Sequence, residues 1–218
     1  MIKLYGVYRS RATRNIWMLD EIGVDFELVP VIQSFRLSDP HAADAPTNTQ
    51  TPSFVAVNPN ARIPAVEDDG LVLNESLAIN LYLARKHGGP LSAQSLSEDG
   101  QMLSWTAWTL TELEPIAIQI FYHRVMKPEA ERDANVAAQA IADLQQPFAV
   151  LNAALATSDY LVGNRFTVAD INVAECARYA QAAPELFEAH PNVDAWIKRC
   201  QARPAFVEMM QKREAEPA

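Results

Sequence analysis

Cysteine is nearly absent from this chain: among 218 residues only Cys176 and Cys200 occur, and neither belongs to a Cys-x-x-Cys pair. That scarcity excludes a disulfide framework and the spacing of a cysteine metal site. The opening MIKLYGVYRSR has no apolar signal core, so a reducing, cytoplasmic compartment is the expectation. Positive charge is also short. Lysine and arginine number 18 against 27 aspartates and glutamates, and the formal net charge of -9 argues against nucleic acid or an anionic membrane as partner. No apolar run reaches membrane-span length, and no repeat of solenoid period is present. A serine-hydrolase reading is opposed by the lack of a Gly-x-Ser-x-Gly elbow and of a sequence setting that brings His41, His87, His123 or His190 beside a serine.

What is present is 49% hydrophobic sequence, enough for one large core or two modest ones. Ile2 to Val7 reads as a strand. The apolar spacing from Asn15 to Ile22 predicts a helix, and Phe26 to Val31 a second strand. Gln33 to Thr51 is polar, with little that would pack, and predicts a mobile loop; a short helix follows from Pro52 to Val57. Pro64 to Glu67 and Leu71 to Leu73 flank Asp69-Gly70, a hairpin signal, and a helix runs from Ser76 to a stop at Gly88-Gly89-Pro90. Beyond the linker the strand signal vanishes. Helical periodicity covers Gln101 to Tyr122, Glu129 to Ala156, Thr167 to Ala182, Asn192 to Arg203 and a last helix from near Pro204. The expected division is 1–87, a linker at 88–94, and an all-helical domain at 95–218.

Several residues are candidates for chemistry, each with a plainer alternative. Glu75 and Ser76 stand at the first turn of a helix, where unpaired N–H groups and the dipole favour an anion. Ser76 would donate to a carboxylate there and Glu75 would face an ammonium, together holding the head of an amino acid; helix capping by Asn74 or Ser76 is the alternative. Ile63-Pro64 enters a strand after a turn. A cis bond would turn the Ile63 main chain outward toward an extended peptide, and a trans edge proline is the alternative. Ser10, between the first strand and the first helix, would hold a thiolate or other anion with Arg11 and Arg14 nearby, or would simply cap the helix. In the second half Thr167 and Asp170 fit a capping box, with Phe166 and Ile171 as its hydrophobic staple. Trp105 and Trp108 share one helical face, as core residues do.

Taken in order, these signals resemble the cytosolic glutathione transferase superfamily over nearly the whole chain. The N-terminal unit resembles a thioredoxin-like α+β domain, and NPNARIP resembles the family's Asn-Pro-x-Gly-x-Val-Pro segment. LNESLAINLYLARK resembles its glutathione-binding helix, and FTVADINVA the capping segment of its all-α helical-bundle domain. Ala61 stands where the family usually has glycine. LYGVYRSRATR resembles the serine-type classes, theta and delta-like; no cysteine lies near Ser10, unlike the glutaredoxin-like and omega-like branches, and the zeta-type Ser-Ser-Cys is missing.

The resemblance implies that Ser10 hydrogen-bonds the glutathione sulfur, Tyr5 or Tyr8 being the alternative. It implies that Pro64 is cis with Ile63 pairing to the cysteinyl backbone, and that Glu75 and Ser76 hold the γ-glutamyl end. Arg62, or else Gln50, would reach the glycyl carboxylate. Glutathione is then the co-substrate, with no metal, and the activity is thiolate attack on a small hydrophobic electrophile by a homodimer. A glutathione-dependent peroxidase and a non-catalytic binding protein of the same fold are the alternatives.

Overall fold

A computed structural model of the chain describes residues 1–217. They form two compact units. The first begins β1 (Ile2–Tyr5), α1 (Thr13–Ile22), β2 (Phe26–Val29), α2 (Pro52–Val55), β3 (Ala65–Asp68), β4 (Leu71–Asn74) and α3 (Ser76–His87). The sheet order is β2-β1-β3-β4, with β2 parallel to β1 and β3 and β4 antiparallel to their neighbours. This is the thioredoxin-like arrangement expected from the sequence. Asp69 and Gly70 take φ of 49° and 82°, the positive values that a tight hairpin turn between β3 and β4 requires.

The polar stretch after β2 is more organised than its composition suggests. A bridge pairs Ile32 with Asn48, and Asn48 and Thr49 are buried. Asn48 Nδ2 donates to the carbonyls of Pro40 and Pro46, both at 3.0 Å, so one asparagine closes the loop on itself. Polar side chains pack here through hydrogen bonds, which hydropathy does not register.

The second unit is helical: α4 (Leu96–Trp108), α5 (Glu114–Phe121), α6 (Ala134–Asp143), α7 (Gln145–Ala154), α8 (Val168–Ala177), α9 (Pro184–Glu188) and α10 (Pro191–Gln201). Two of the expected long helices are broken close to prolines, and the one expected from Thr167 to Ala182 tightens to a 3-10 helix over Arg178–Ala182. Thr109–Leu113 is a π-helical stretch directly before Pro115, whose ring and missing N–H disturb the preceding turn. Pro147 similarly follows the break between α6 and α7. Glu129 lies ahead of α6 rather than inside it; Asp133 caps that helix by accepting from Asn135 N–H and Val136 N–H. His123 Nδ1 accepts from Asp133 N–H at 2.9 Å and so holds the capping residue. The short α9 carries too few residues for periodicity to reveal it.

Every residue of α8 is buried. Its N-terminus carries the capping box anticipated at Thr167 and Asp170. Asp170 also accepts from Leu161 N–H at 3.0 Å and from the Trp196 indole at 2.9 Å, fastening α8 to a loop and to α10. Trp105 and Trp108 are half-buried and meet edge to face, 5.2 Å between centroids.

The last helix, α11 (Pro204–Ala215), groups with the first unit rather than with the helices that precede it. Its Phe206 meets Trp17 of α1 edge to face at 4.9 Å, and both side chains are buried. The sequence division at 95–218 differs from this because the contact joins residues far apart in the chain.

Asp170 is the most exacting polar group of the second unit. Asp170→Ala should cost roughly 3–5 kcal/mol in urea unfolding, since Leu161 N–H, Thr167 N–H and the Trp196 indole lose their acceptor. Burial pushes the Asp170 carboxyl up to about 6. A raised native value means that the folded chain binds the proton more tightly than the unfolded one. The resulting stability is present below about pH 4 and lost as pH rises through about 6. The stability gap between wild type and Asp170→Asn should therefore narrow by about 3 kcal/mol over that interval.

Candidate functional site

The site begins at the turn between β1 and α1. A Cβ on Gly6 would lie 2.6 Å from that of Ala12, so only glycine lets the chain double back this closely. The same point lies 3.8 Å from Ser10 Oγ and 3.9 Å from Ile63 Cβ, which places Ser10 and Ile63 together beside Gly6. Ser10 Oγ donates to Val7 C=O at 2.7 Å and accepts from Ala12 N–H at 3.0 Å. It is not the helix cap: that position is Ala12, with no side-chain cap bond. Ser10 is half-buried and sits at the entrance of α1.

The Ile63-Pro64 bond is cis. Ile63 precedes β3, whose pairing with β1 starts at Ala65, and its side chain packs against a cluster of Val31, Phe54 and Ala65. Asn58 shapes the approach by donating to Arg62 C=O and accepting from Asn60 N–H at 3.0 Å. Ala61 carries φ of 52°, so the left-handed turn usually given to glycine is kept with an alanine in it.

Glu75 is exposed, has φ of 68°, and is the N-cap residue of α3 with no side-chain cap bond. The capping alternative for Asn74 or Ser76 is therefore not what the fold uses. Ser76 is buried, and its Oγ accepts from Arg14 at 3.1 Å. Arg14 is itself only 1% exposed. The expected pairing of Arg11 and Arg14 about Ser10 thus separates: Arg11 is exposed, while Arg14 runs beneath α3. Its charge adds to the helix dipole at the point where a carboxylate would dock.

Two asparagines complete this buried junction. Asn15 Nδ2 donates to Ser76 C=O at 2.8 Å and to Asn80 Oδ1 at 2.7 Å, and Asn80 Nδ2 donates to Arg14 C=O at 3.1 Å. Sequence reasoning missed both. Asn80 lies four residues after Ser76, on the same helical face among apolar neighbours, and that spacing was the available signal.

The tyrosine alternatives have polar neighbours of their own. Tyr5 donates to Glu67 Oε2 at 3.1 Å. Tyr8 has Lys212 of α11 and Asp20 of α1 as charged neighbours, and burial first of all raises its phenol above the ordinary value, as it does that of Tyr5. Arg62 and Gln50 are both exposed. Among the described residues no group of three or more His, Cys, Asp or Glu is placed to hold a metal ion, and no helix is long and apolar enough to cross a membrane.

Comparisons with known proteins identify the family of the two domains. Residues 1–85 match the glutathione S-transferase N-terminal domain family and residues 113–204 the C-terminal domain family. A maize protein, glutathione S-transferase 3, is 33% identical over 94% of this chain and 91% of its own length. The crystal structure of glutathione transferase F7 from Populus trichocarpa is 28% identical, with a TM-score of 0.83, over 98% of this chain and 99% of that one. A theta class glutathione S-transferase from Xanthomonas axonopodis pv. citri, solved with glutathione bound, is 32% identical with a TM-score of 0.78, each chain covered to 95%. The chain belongs to the cytosolic glutathione transferase superfamily.

Proposed function

We propose that this chain is a glutathione transferase of serine type, binding glutathione in its first unit and attacking a hydrophobic electrophile with the bound thiolate. The observation that carries the reading is the convergence, within one unit, of Ser10, the cis Ile63-Pro64 segment and the uncapped N-terminus of α3. In this arrangement the γ-glutamyl carboxylate docks on Ser76, over the Arg14 guanidinium, and its ammonium faces Glu75. The cysteinyl main chain pairs with Ile63 as an added strand pairs with a sheet edge. Arg62 serves the glycyl carboxylate.

Ser10 then meets the thiol. Its hydroxyl donates to Val7 C=O, so turning that proton toward the sulfur is the step by which it stabilises S⁻ over SH. The sulfur forms the new C–S bond. A halide or aryl oxide leaves with the displaced pair, or, in addition, the electrophile takes up the proton the thiol lost.

The theta and delta likeness has a named counterpart in the Xanthomonas protein, whereas the curated relatives are plant transferases; serine-type chemistry is the part of that assignment we carry forward. The working form we infer is a cytoplasmic homodimer. β4 is an edge strand with Leu71 and Val72 exposed at 44% and 43%, the kind of edge that a second copy covers.

Ultraviolet difference titration with glutathione at neutral pH should give a saturable thiolate band in wild type. Ser10→Ala should lose the band, keep the binding, and reduce kcat/KM roughly a hundredfold, the usual effect of one lost donor to a developing anion; full activity in that variant would remove Ser10 from the mechanism. Ser76→Ala should weaken glutathione binding about tenfold with the band retained at saturation. In light scattering wild type should have twice the chain mass and Val72→Lys should be a monomer.

A further inference from the structure

The C-terminal tail makes contacts that the proposed chemistry leaves unused. Tyr8 and Arg9, immediately before Ser10, have all their main-chain polar groups held by side chains. Glu216 accepts from Tyr8 N–H at 2.9 Å through Oε1 and from Arg9 N–H at 2.6 Å through Oε2. Arg213 donates to Tyr8 C=O, and Gln33 Nε2 donates to Arg9 C=O at 3.1 Å. The tail is fastened in return: Arg9 Nε donates to Glu216 C=O at 2.7 Å, and Arg36 donates to Pro217 C=O at 3.0 Å and to Gln33 Oε1 at 3.1 Å. All of these residues lie in the first unit.

A carboxylate shared by two consecutive N–H groups is a charge-assisted, two-point clamp on the main chain. We propose that Glu216 is a positioning residue for Ser10, fixing the Tyr8–Arg9 main chain so that the hydroxyl one residue further on stands where the glutathione sulfur arrives. The proposal rests on the glutathione reading above for the identity of the sulfur. It assigns to Glu216 a part in activation rather than in holding glutathione, because the hydrogen bonds of Glu216 run to Tyr8 and Arg9.

Two physical effects of Glu216 oppose each other. Its negative charge alone would raise the pKa of a nearby thiol, so deleting the charge would favour the thiolate. Loss of positioning does the reverse, since a displaced Ser10 donates poorly to S⁻. The sign of the change therefore separates a positioning role from a charge effect and from simple anchoring of α11, which would move neither quantity.

The experiment compares wild type with Glu216→Ala, Glu216→Gln and Glu216→Asp in the full chain. The pH titration of the bound-glutathione thiolate band should move to higher pH in Glu216→Ala and Glu216→Gln, with kcat down about tenfold and the glutathione Kd within about twofold of wild type; Glu216→Asp should recover part of both. A titration that is unchanged or moves to lower pH overturns the proposal. Amide hydrogen exchange at Tyr8 and Arg9, measured without ligand, should accelerate at least tenfold in Glu216→Ala while exchange in β1 and β3 stays at its wild-type rate. Unchanged exchange at those two amides overturns the clamp whatever glutathione does. Loss of the band in wild type itself would instead count against the glutathione reading.

Discussion

The first unit depends on one buried ion. Arg14 is almost wholly withdrawn from water, and a guanidinium in that position is tolerable only where its donors are met. One donor meets Ser76 Oγ, and the asparagine pair Asn15 and Asn80 ties the same two helices through main-chain carbonyls. Because each bond is directional, α1 and α3 have one relative register. Ser10 stands at the front of α1 and Glu75-Ser76 at the front of α3, so the register that brings Arg14 to Ser76 also sets the separation between the two ends of the proposed ligand site. The stability of the helix pair and the geometry of the site are then one constraint.

A similar economy governs the turn that carries Ser10. Gly6 brings the main chain against Ala12, and Ser10 Oγ bonds to Val7 C=O and Ala12 N–H, so the turn is shaped by the same hydroxyl that the proposed mechanism uses. A hydroxyl used in this way starts in a defined place but with its proton committed. Rotating one proton costs far less than moving the oxygen, and the oxygen is held from outside by the main-chain clamp on Tyr8 and Arg9. Position is fixed by neighbours and the direction of donation is left free, an arrangement that suits a group needed only once a sulfur is present.

Local signals were legible in the sequence and distant ones were not. Asp69-Gly70 and the Thr167–Asp170 capping box each depend on residues within four positions of one another, and both stand in the fold as read. The long helices misled because periodicity continues across a π turn: apolar residues recur on one side of Thr109–Leu113 although the hydrogen-bond ladder is re-registered before Pro115. Proximity in sequence sets Arg14 near Ser10, whereas its long side chain reaches across to Ser76 of α3. The buried Asn48 and the docking of Phe206 on Trp17 depend on partners that no window of sequence contains. Of the candidate site, Ser10, Ile63, Glu75 and Ser76 stand out from their places in the sequence and take their ligand roles from the resemblance, whereas Asn15, Asn80, Glu216 and the contact of Arg14 with Ser76 appear only in the structure.

Backbone strain marks the same edge of the unit. Four described non-glycine residues have positive φ, namely Ala61, Asp69, Glu75 and Asn164. Asp69 has a turn to account for it. Ala61 and Glu75 do not form part of a hairpin, and each conformation costs on the order of 1 kcal/mol or more for a residue with a Cβ. They lie on the two segments that would receive the cysteinyl and γ-glutamyl parts of glutathione. At Glu75 the cost is met by neighbours: Ser76 C=O is held by Asn15, and Ile79 N–H bonds to Glu75 C=O at 2.9 Å, so the residue is fixed from its C-terminal side and relaxing φ would break bonds already made. The consequence is directional. A relaxed Glu75 would continue β4 or begin α3, and either course would take the residue out of the N-cap position that it holds at the front of α3. The strained conformation keeps an anion-attracting helix end and an acidic side chain side by side, the pairing of opposite charges that a zwitterionic amino-acid head requires.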